Sequence, residues 1–337
     1  MAQLSDTASK ADASSAGSVE RPPLRPGWTV VARKELADHL LSVRFGVLLI
    51  LLALVAAGTV FAASDAIRGV AEQAAGVPGV FLRLFTVATD SVPSFISLVA
   101  LLIPLLGIAF GFDAVNGERA QRTLPRLVSQ PIHRDDVING KFAAGLTVIM
   151  LVLASVTLLV AGLGLLRLGI RPAADEVARL LVWLLVSVIY VSFWLAFSTL
   201  CSVALRRAAT SALVAIGAWL VLSLFAPLLA GIIADGIRPV SDQATVERVL
   251  SNARLENALA RISPSTLYDE ATRAFLNPET RTLGAVLPQQ TDRAVPSTLS
   301  LEQSVLLVWP QTVGLIALTV VCFALAYISF MRQEIRA

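Results

Sequence analysis

Six stretches of this chain carry no charged side chain, and each is about 20 residues long or longer. An α-helix rises about 1.5 Å per residue, so about 20 apolar residues cross a hydrocarbon core of roughly 30 Å. A buried helix of a soluble protein rarely needs that length without a charge. The stretches predict six membrane-spanning helices, at about 45–64, 91–112, 142–166, 180–205, 208–234 and 306–331.

The composition favours the same class of protein. Of the 337 residues, 56% are hydrophobic and 15% are charged, whereas an average soluble domain has roughly 25% charged residues. A soluble chain of this length could not bury so much apolar side chain, because much of its surface must face water. We therefore expect an all-α integral membrane protein with an N-terminal interfacial helix and a helical external segment between spans five and six. The net charge of +3 does not indicate nucleic acid binding.

Lysine and arginine are concentrated at one end of the predicted spans. They occupy the segment before residue 45, the loop 113–141, the link Arg206-Arg207 and the C-terminal tail. Because cytoplasmic loops carry an excess of Lys and Arg, both termini are predicted to be cytoplasmic. The arginines of 235–302 do not alter this, since long loops translocate with little regard to charge. The predicted location is multi-pass, in the plasma (inner) membrane.

Two short segments precede the predicted six-span domain, 45–337. Residues 1–27 are rich in Ala, Ser, Asp and Pro, a composition typical of a disordered tail, here a cytoplasmic one. Residues 28–44 combine an apolar stripe at helical spacing with basic residues. This pattern favours an amphipathic helix in the inner membrane interface, and the alternative is a plain extension of the first span. The residues predicted to characterise the interfacial helix are Trp28, Arg33, Lys34, Leu36 and Leu40.

The external segment 235–302 is too long for a simple loop. The sequence predicts two helices followed by coil in this segment. The first is indicated by helical periodicity over 241–262, and the second, after a break at Pro264, covers 265–276. One interpretation is a small helical cap that stabilises the outer mouth of the spans. The other is a role in substrate release or in docking a partner.

The sequence lacks the motifs of catalysis and cofactor binding. Gly140-Lys141 is followed by Phe142 and is not preceded by a glycine-rich phosphate loop, so no ATP site is expected in this chain. His39 and His133 are far apart in sequence and are interpreted as surface residues. The predicted spans contain no ionisable side chain, which argues against transport driven by an ion gradient and against a membrane hydrolase. No catalytic, cofactor-binding or metal-binding residue is predicted.

The prolines of the predicted spans that could act as kinks are Pro93 and Pro104 in the second and Pro227 in the fifth. Proline removes an N–H donor and frees a backbone carbonyl within a helix. The three are interpreted either as kinks that permit motion or as ordinary membrane prolines.

The loop 113–141 is the densest polar segment of this sparsely charged chain. It combines carboxylates and arginines with apolar Leu124, Leu127 and Val128, a mixture suited to a short helix that is presented to a soluble partner. The same composition fits a solvated loop that obeys the positive-inside rule. The pattern alone favours neither interpretation.

This loop resembles that of the type-2 export permeases of ATP-binding cassette (ABC) transporters. Their first cytoplasmic loop typically reads Glu-Arg-Glu-x-Gly-Thr-Leu, then Leu-x-x-x-Pro-x-x-Arg and Gly-Lys. The chain departs from that pattern at Ala120 and Arg122, where Glu and Gly are usual. The matching residues are Glu118, Arg119, Thr123, Leu124, Leu127, Pro131, Arg134, Gly140 and Lys141.

Three further runs extend the resemblance to nearly everything after Trp28. Arg33-Lys34-Glu35-Leu36 is similar to the start of the family's interfacial helix. Ile262-Ser263-Pro264-Ser265 and Met331-Arg332-Gln333-Glu334 are similar to the subgroup that includes permeases of nitrous-oxide-reductase maturation.

The resemblance implies the permease subunit of an ABC exporter, paired as a homodimer or with a related permease and bound to a separate nucleotide-binding ATPase subunit. Its substrate is unidentified, and the apolar spans favour a lipophilic or amphipathic molecule. The alternative is a non-transporting membrane scaffold that recruits an ATPase to regulate an envelope process. The loop residues then expected to bind the ATPase are Glu118, Arg119, Arg122, Thr123, Leu124, Leu127 and Pro131.

Overall fold

The structure is a computed structural model that describes residues 26–71, 79–121, 133–169, 171–240, 245–277 and 299–333. All regular structure in these ranges is helical, and six helices are long and apolar enough to cross a membrane. The predicted all-α membrane fold is therefore confirmed. The predicted N-terminal tail lies outside the described residues, except for its last two.

Thirteen α-helices occupy the described ranges. The spans are, in order, α2 (Val43–Ala71), α4 (Phe95–Gly111), α6 (Arg134–Leu168), α7 (Ala174–Ala204), the continuous pair α8 (Ala208–Leu220) and α9 (Ala226–Ile237), and α13 (Trp309–Arg332). The shorter helices are α1 (Gly27–Leu40), α3 (Val80–Thr86), α5 (Asn116–Ala120), α10 (Val246–Ala260), α11 (Pro264–Leu276) and α12 (Leu301–Leu307). We call the end of the bundle that carries α1, α5 and Arg332 the basal end, and the opposite end the distal end.

The fourth span lies at the centre of the bundle, with Trp183 and Trp194 fully buried. Gly107 of the second span packs directly against it. A Cβ atom at Gly107 would lie 2.8 Å from both the Leu195 nitrogen and the Val191 carbonyl oxygen. Small residues at a helix crossing let two backbones approach closely in this way. The fifth and sixth spans, in contrast, keep many apolar side chains exposed on the surface of the chain.

α10 and α11 are joined by a short turn, and we call them together the hairpin, residues 246–276. α10 packs against α9 of the fifth span, and α11 packs against the fourth and sixth spans. At its turn the Ser263 hydroxyl donates a hydrogen bond to the Leu222 carbonyl, 2.6 Å away and close to the midpoint of the 30-residue fifth span. Tyr268 stacks on Tyr190 of the fourth span, with ring centroids 4.4 Å apart. The hairpin thus extends alongside the spans to about half their length, whereas the sequence suggests a cap beyond their ends.

A π-helical turn, Val221–Phe225, explains why the hairpin attaches at this height. The Ala226 N–H bonds to the Val221 carbonyl across five residues. In that pattern the donor for the Leu222 carbonyl would be Pro227, which has no N–H. The carbonyl is therefore left for the hairpin hydroxyl. Pro227 creates a specific acceptor in the middle of a span.

The distal end of the hairpin is held by Arg179, a fully buried residue of the fourth span. Its guanidinium donates to the Asp175 carboxylate at 2.7 Å, and to the Phe275 carbonyl and the Ser304 hydroxyl, each at 3.3 Å. A planar guanidinium with five donors suits a junction of several acceptors. One side chain thereby joins the fourth span, the hairpin and α12.

Candidate functional site

Three charged side chains from distant parts of the chain meet at the basal end. The Lys141 ammonium lies 2.9 Å from Glu35 Oε1 and 2.7 Å from Glu118 Oε1. The lysine side chain is 6% exposed, and the carboxylate side chains of Glu35 and Glu118 are 10% and 15% exposed. This basal triad joins α1, the first turns of the third span and α5.

Residues at the start of the third span position α1. Gly140 faces that helix, and an added Cβ atom would lie 2.8 Å from the Trp28 carbonyl oxygen. One turn earlier, the Asp136 carboxylate accepts the Trp28 backbone N–H at 2.9 Å. It satisfies one of the amides that the first turn of a helix leaves unpaired. The missing side chain and the cap let α1 approach closely enough for the basal triad to form.

The charges of the basal triad stabilise one another. Burial alone would raise the pKa of the Glu35 carboxyl group, because burial disfavours the charged form. The ammonium groups of Lys141 and Lys34 outweigh burial and hold that pKa below its ordinary value. Glu35 is therefore ionised at neutral pH.

His39 stands beside the basal triad. It is half-buried, in contrast to the surface position expected from the sequence, and it packs edge-on against Phe110 with ring centroids 5.1 Å apart. Burial lowers the pKa of its imidazole, so the ring is neutral at pH 7.

α5 is also held by the fourth and sixth spans. The Ser202 hydroxyl accepts the backbone N–H groups of residues 115 and 116, at 3.0 and 3.2 Å. Arg119 donates to the Val203 carbonyl at 3.3 Å and to the Gln333 side chain. Gln333 in turn donates to the same Val203 carbonyl at 2.8 Å. α5 is therefore attached to spans three and four and to Gln333, which follows span six.

An open cleft of 690 Å³ lies between α1 and α5. Its walls carry charges of both signs: Lys34 pairs with Asp38 at 3.0 Å, and Arg44 pairs with Asp113 at 2.6 Å. Within the described ranges, no cluster of His, Cys, Asp or Glu is suited to hold a metal ion. Mixed charges at the rim of an open cleft suit a protein partner, whose own charges set register and orientation.

Known proteins share this chain's sequence pattern. The family model described as "ABC-2 family transporter protein" matches residues 29–335. The chain belongs to the ABC-2 transporter family. The resemblance to ABC export permeases noted in the sequence is therefore confirmed at the level of the family.

Two relatives of this ABC-2 family member each carry the name "Probable ABC transporter permease protein NosY". The relative from Pseudomonas aeruginosa is 34% identical over 150 residues, which cover 44% of this chain and 47% of that relative. The relative from Stutzerimonas stutzeri is 27% identical over 197 residues, covering 57% of this chain and 64% of that relative. The chain thus matches about half to two thirds of the length of these relatives.

The loop residues predicted to bind an ATPase fall into two groups. Glu118 and Arg119 lie on α5, and both side chains bind within the chain, to Lys141 and to Val203 with Gln333 respectively. The other five lie outside the described residues, and their role stays a prediction. They are Arg122, Thr123, Leu124, Leu127 and Pro131.

The helix expected at the membrane interface is α1, and it ends at Leu40, before the expected boundary at residue 44. Its buried side chains are Val31 and Glu35, which face the third span instead of belonging to the predicted apolar stripe. Insertion of the stripe into lipid stays a prediction. Of the residues predicted on this helix, Trp28, Arg33, Lys34 and Leu40 are exposed and Leu36 is half-buried.

Sequence reasoning did not identify Glu35, Ser202 or Gln333 as residues that hold the basal end together. A signal for Glu35 exists, because it lies four residues after Val31 and four before His39, on one face of α1. A carboxylate between two partly or fully buried neighbours requires a cation. Ser202 and Gln333 offer no comparable signal, since their partners are 87 and 130 positions away.

Proposed function

We propose that this protein is the membrane permease subunit of an ABC exporter and that its basal end docks a separate nucleotide-binding ATPase subunit. The observation that carries the proposal is that α1 and α5 both bind Lys141 of the third span, and that α5 also binds residues at the ends of the fourth and sixth spans. A solvated loop needs no such attachment. A docking element does, because it must convert a partner's motion into a rearrangement of the spans.

The exposed part of the basal end supports a protein partner. The cleft between α1 and α5 is open and carries charges of both signs. The segment 122–132 continues directly from α5, and we propose that Arg122, Thr123, Leu124, Leu127 and Pro131 contact the ATPase there. Glu118 and Arg119, which bind within the chain, would fix the position from which this segment extends.

The orientation and the oligomeric state are part of the same proposal. The basal end would face the cytoplasm, since lysine and arginine are concentrated there. The fifth span exposes Leu213, Leu220 and Leu228 along its length, and this apolar surface suits lipid or a second permease, either a copy of this chain or a related one. ATP-driven closure of two ATPase subunits would then move two permeases against each other and export a lipophilic or amphipathic molecule.

The test is co-purification with a co-expressed nucleotide-binding subunit, together with measurement of ATP hydrolysis. Glu118→Ala combined with Leu124→Ala should release the subunit or abolish its stimulated hydrolysis. Truncating a leucine that fills a pocket costs about 2 kcal/mol, roughly 30-fold in affinity.

The matched control is Glu302→Ala combined with Leu306→Ala, which removes the same side chains from exposed positions on distal α12. This variant should behave as wild type in both measurements. Wild-type co-purification and hydrolysis by the Glu118 and Leu124 variant would refute docking at this loop. The protein alone should hydrolyse no ATP.

A further inference from the structure

A second cavity, of 220 Å³, lies between the second span, the π-helical turn of the fifth span and α11. Ser97 and Leu101 line it from the second span, and Ser223 and Leu224 from the fifth. α11 contributes Ser265, Asp269, Thr272 and Arg273. The cavity therefore combines hydroxyl groups, one carboxylate and one guanidinium with an apolar border.

The cavity lies within the height of the spans. Ser223 follows Leu222, where the hairpin turn binds near the midpoint of the fifth span. Asp269 is six residues beyond Ser263 along α11, a rise of about 9 Å. This carboxylate is thus placed at membrane depth, where the uncharged stretches of the six spans carry no charged side chain. An ionisable group at that depth is costly unless it has a function or a partner.

Asp269 and the adjacent Glu270 differ in their partners. Glu270 pairs with Arg261 at 3.0 Å and accepts a hydrogen bond from Gln311 at 2.7 Å. Among the described residues, neither Asp269 nor Arg273 forms an ion pair or a side-chain hydrogen bond. Arg273 stands one turn after Asp269 at the exposed rim of the cavity. Two opposite charges therefore line one cavity and act on each other electrostatically, but they form no direct ion pair.

The remaining walls indicate what kind of molecule would fit. Ser265 is hydrogen bonded to Ser223 at 2.6 Å and to the Tyr190 hydroxyl at 3.0 Å, which gives the inner wall a chain of hydroxyl groups. Leu101 and Leu224 at the border are 40% and 52% exposed. A polar interior with an apolar exit matches a molecule that has a polar head and an apolar tail.

We propose that this cavity binds the zwitterionic head of an amphipathic molecule, with its ammonium group at Asp269 and its anionic group at Arg273. Charge-assisted hydrogen bonds would then satisfy both side chains. The apolar tail would leave between Leu101 and Leu224 along the exposed surface of the fifth span. The identification of this molecule as the exported cargo rests on the proposed function. The proposal that the cavity binds it does not.

The experiment measures binding to the purified permease alone, in a maltoside detergent with an uncharged head. The probes are radiolabelled dodecylphosphoethanolamine and dodecyl phosphate, which differ in the ethanolammonium group. Wild-type protein should bind the first about tenfold more tightly or better, as expected for one charge-assisted contact. Asp269→Asn should reduce this preference to about one, and Asp269→Glu should retain most of it. Arg273→Gln should weaken binding of both probes.

The control is Glu247→Gln, which neutralises an exposed carboxylate on the same hairpin and should leave the preference unchanged. Equal affinities of the wild type for the two probes, or an undiminished preference in Asp269→Asn, would overturn the proposal.

A second arm separates cargo from resident lipid. In a complex with the ATPase, a cargo should change the rate of ATP hydrolysis, whereas bound lipid of the bilayer should not. If no ATPase binds, the proposed function fails and the binding result still stands.

Discussion

Replacing Lys141 with methionine tests the basal triad most directly. The change keeps an unbranched side chain that is one heavy atom shorter and removes its charge. In the wild type the ammonium lies 2.9 and 2.7 Å from the carboxylates of Glu35 and Glu118. Without it, both largely buried carboxylates lose their shared cation, and Glu35 keeps only the exposed ammonium of Lys34, at 2.9 Å. The expected result is that α1 detaches from the third span more often.

The loss of stability can be estimated from the two ways in which the variant can respond: by keeping both glutamates ionised, or by protonating one of them. Leaving a buried charge with no partner would cost about 3–5 kcal/mol, and Lys34, which still contacts Glu35, reduces this cost. Protonating one glutamate, whose ordinary pKa is 4.5, costs about 3 kcal/mol at pH 7 and sets an upper limit. We therefore expect a loss of about 3 kcal/mol, which corresponds to roughly 100-fold more frequent opening of α1.

The stability of α1 attachment should depend on pH in opposite directions in the wild type and in Lys141→Met. In the wild type the pKa of Glu35 is lowered, so its stabilising contribution is present above its unfolded pKa of 4.5 and is lost only as the pH falls below that value. In Lys141→Met, Glu35 keeps only the exposed ammonium of Lys34, so burial raises its carboxyl pKa relative to the wild type. Protonation then relieves the penalty, so the variant should gain stability as the pH falls from 7 to 5.

Amide hydrogen exchange of α1, corrected for intrinsic rates at each pH, measures this opening. Lys34→Met is the matched control, because its ammonium also contacts Glu35 but its side chain is 56% exposed. An exposed ion pair contributes about 1 kcal/mol or less. Wild-type protection of α1 in Lys141→Met, or the same pH profile in both proteins, would refute the reasoning.

Three further changes test other contacts. Gly107→Ala should lower the yield of folded protein and its melting temperature. The new methyl group would meet two backbone atoms at 2.8 Å, at a cost of about 1–3 kcal/mol. Gly162→Ala is the control and should change neither quantity, because its methyl group would meet nothing within 4 Å. Ser202→Ala should speed amide exchange at the start of α5 by about tenfold, because two N–H groups lose their acceptor. Ser192→Ala is the control: it removes only a hydrogen bond within its own helix and should leave exchange in α5 unchanged. Arg179→Gln should expose the hairpin to proteolysis, at a cost of about 1.5–3 kcal/mol for the lost hydrogen bonds of a charged donor. Intact protection would contradict its role as a junction.

Hydropathy and charge were sufficient to predict the class of the protein. The length of an uncharged apolar stretch is a local property, and so is the breaking effect of a proline such as Pro264. The six spans and a second hairpin helix beginning beside that proline could therefore be predicted without knowledge of any tertiary contact. The family pattern in the loop added the expectation of an ATPase partner. Five of the loop residues behind that expectation lie outside the described part of the chain.

Pairings between distant residues required the tertiary structure. Lys141 is 106 positions from Glu35, and Ser263 is 41 positions from Leu222. The pattern of a single segment cannot predict such a pair. The two residues interact only after two helices have packed together with these residues at the same level along their axes. The same reason explains Asp269. Its sequence suggests a solvated external helix. Tertiary contacts place it beside the middle of the spans: the stacking of Tyr268 on Tyr190 and the hydrogen bond of the hairpin turn to the carbonyl freed by Pro227.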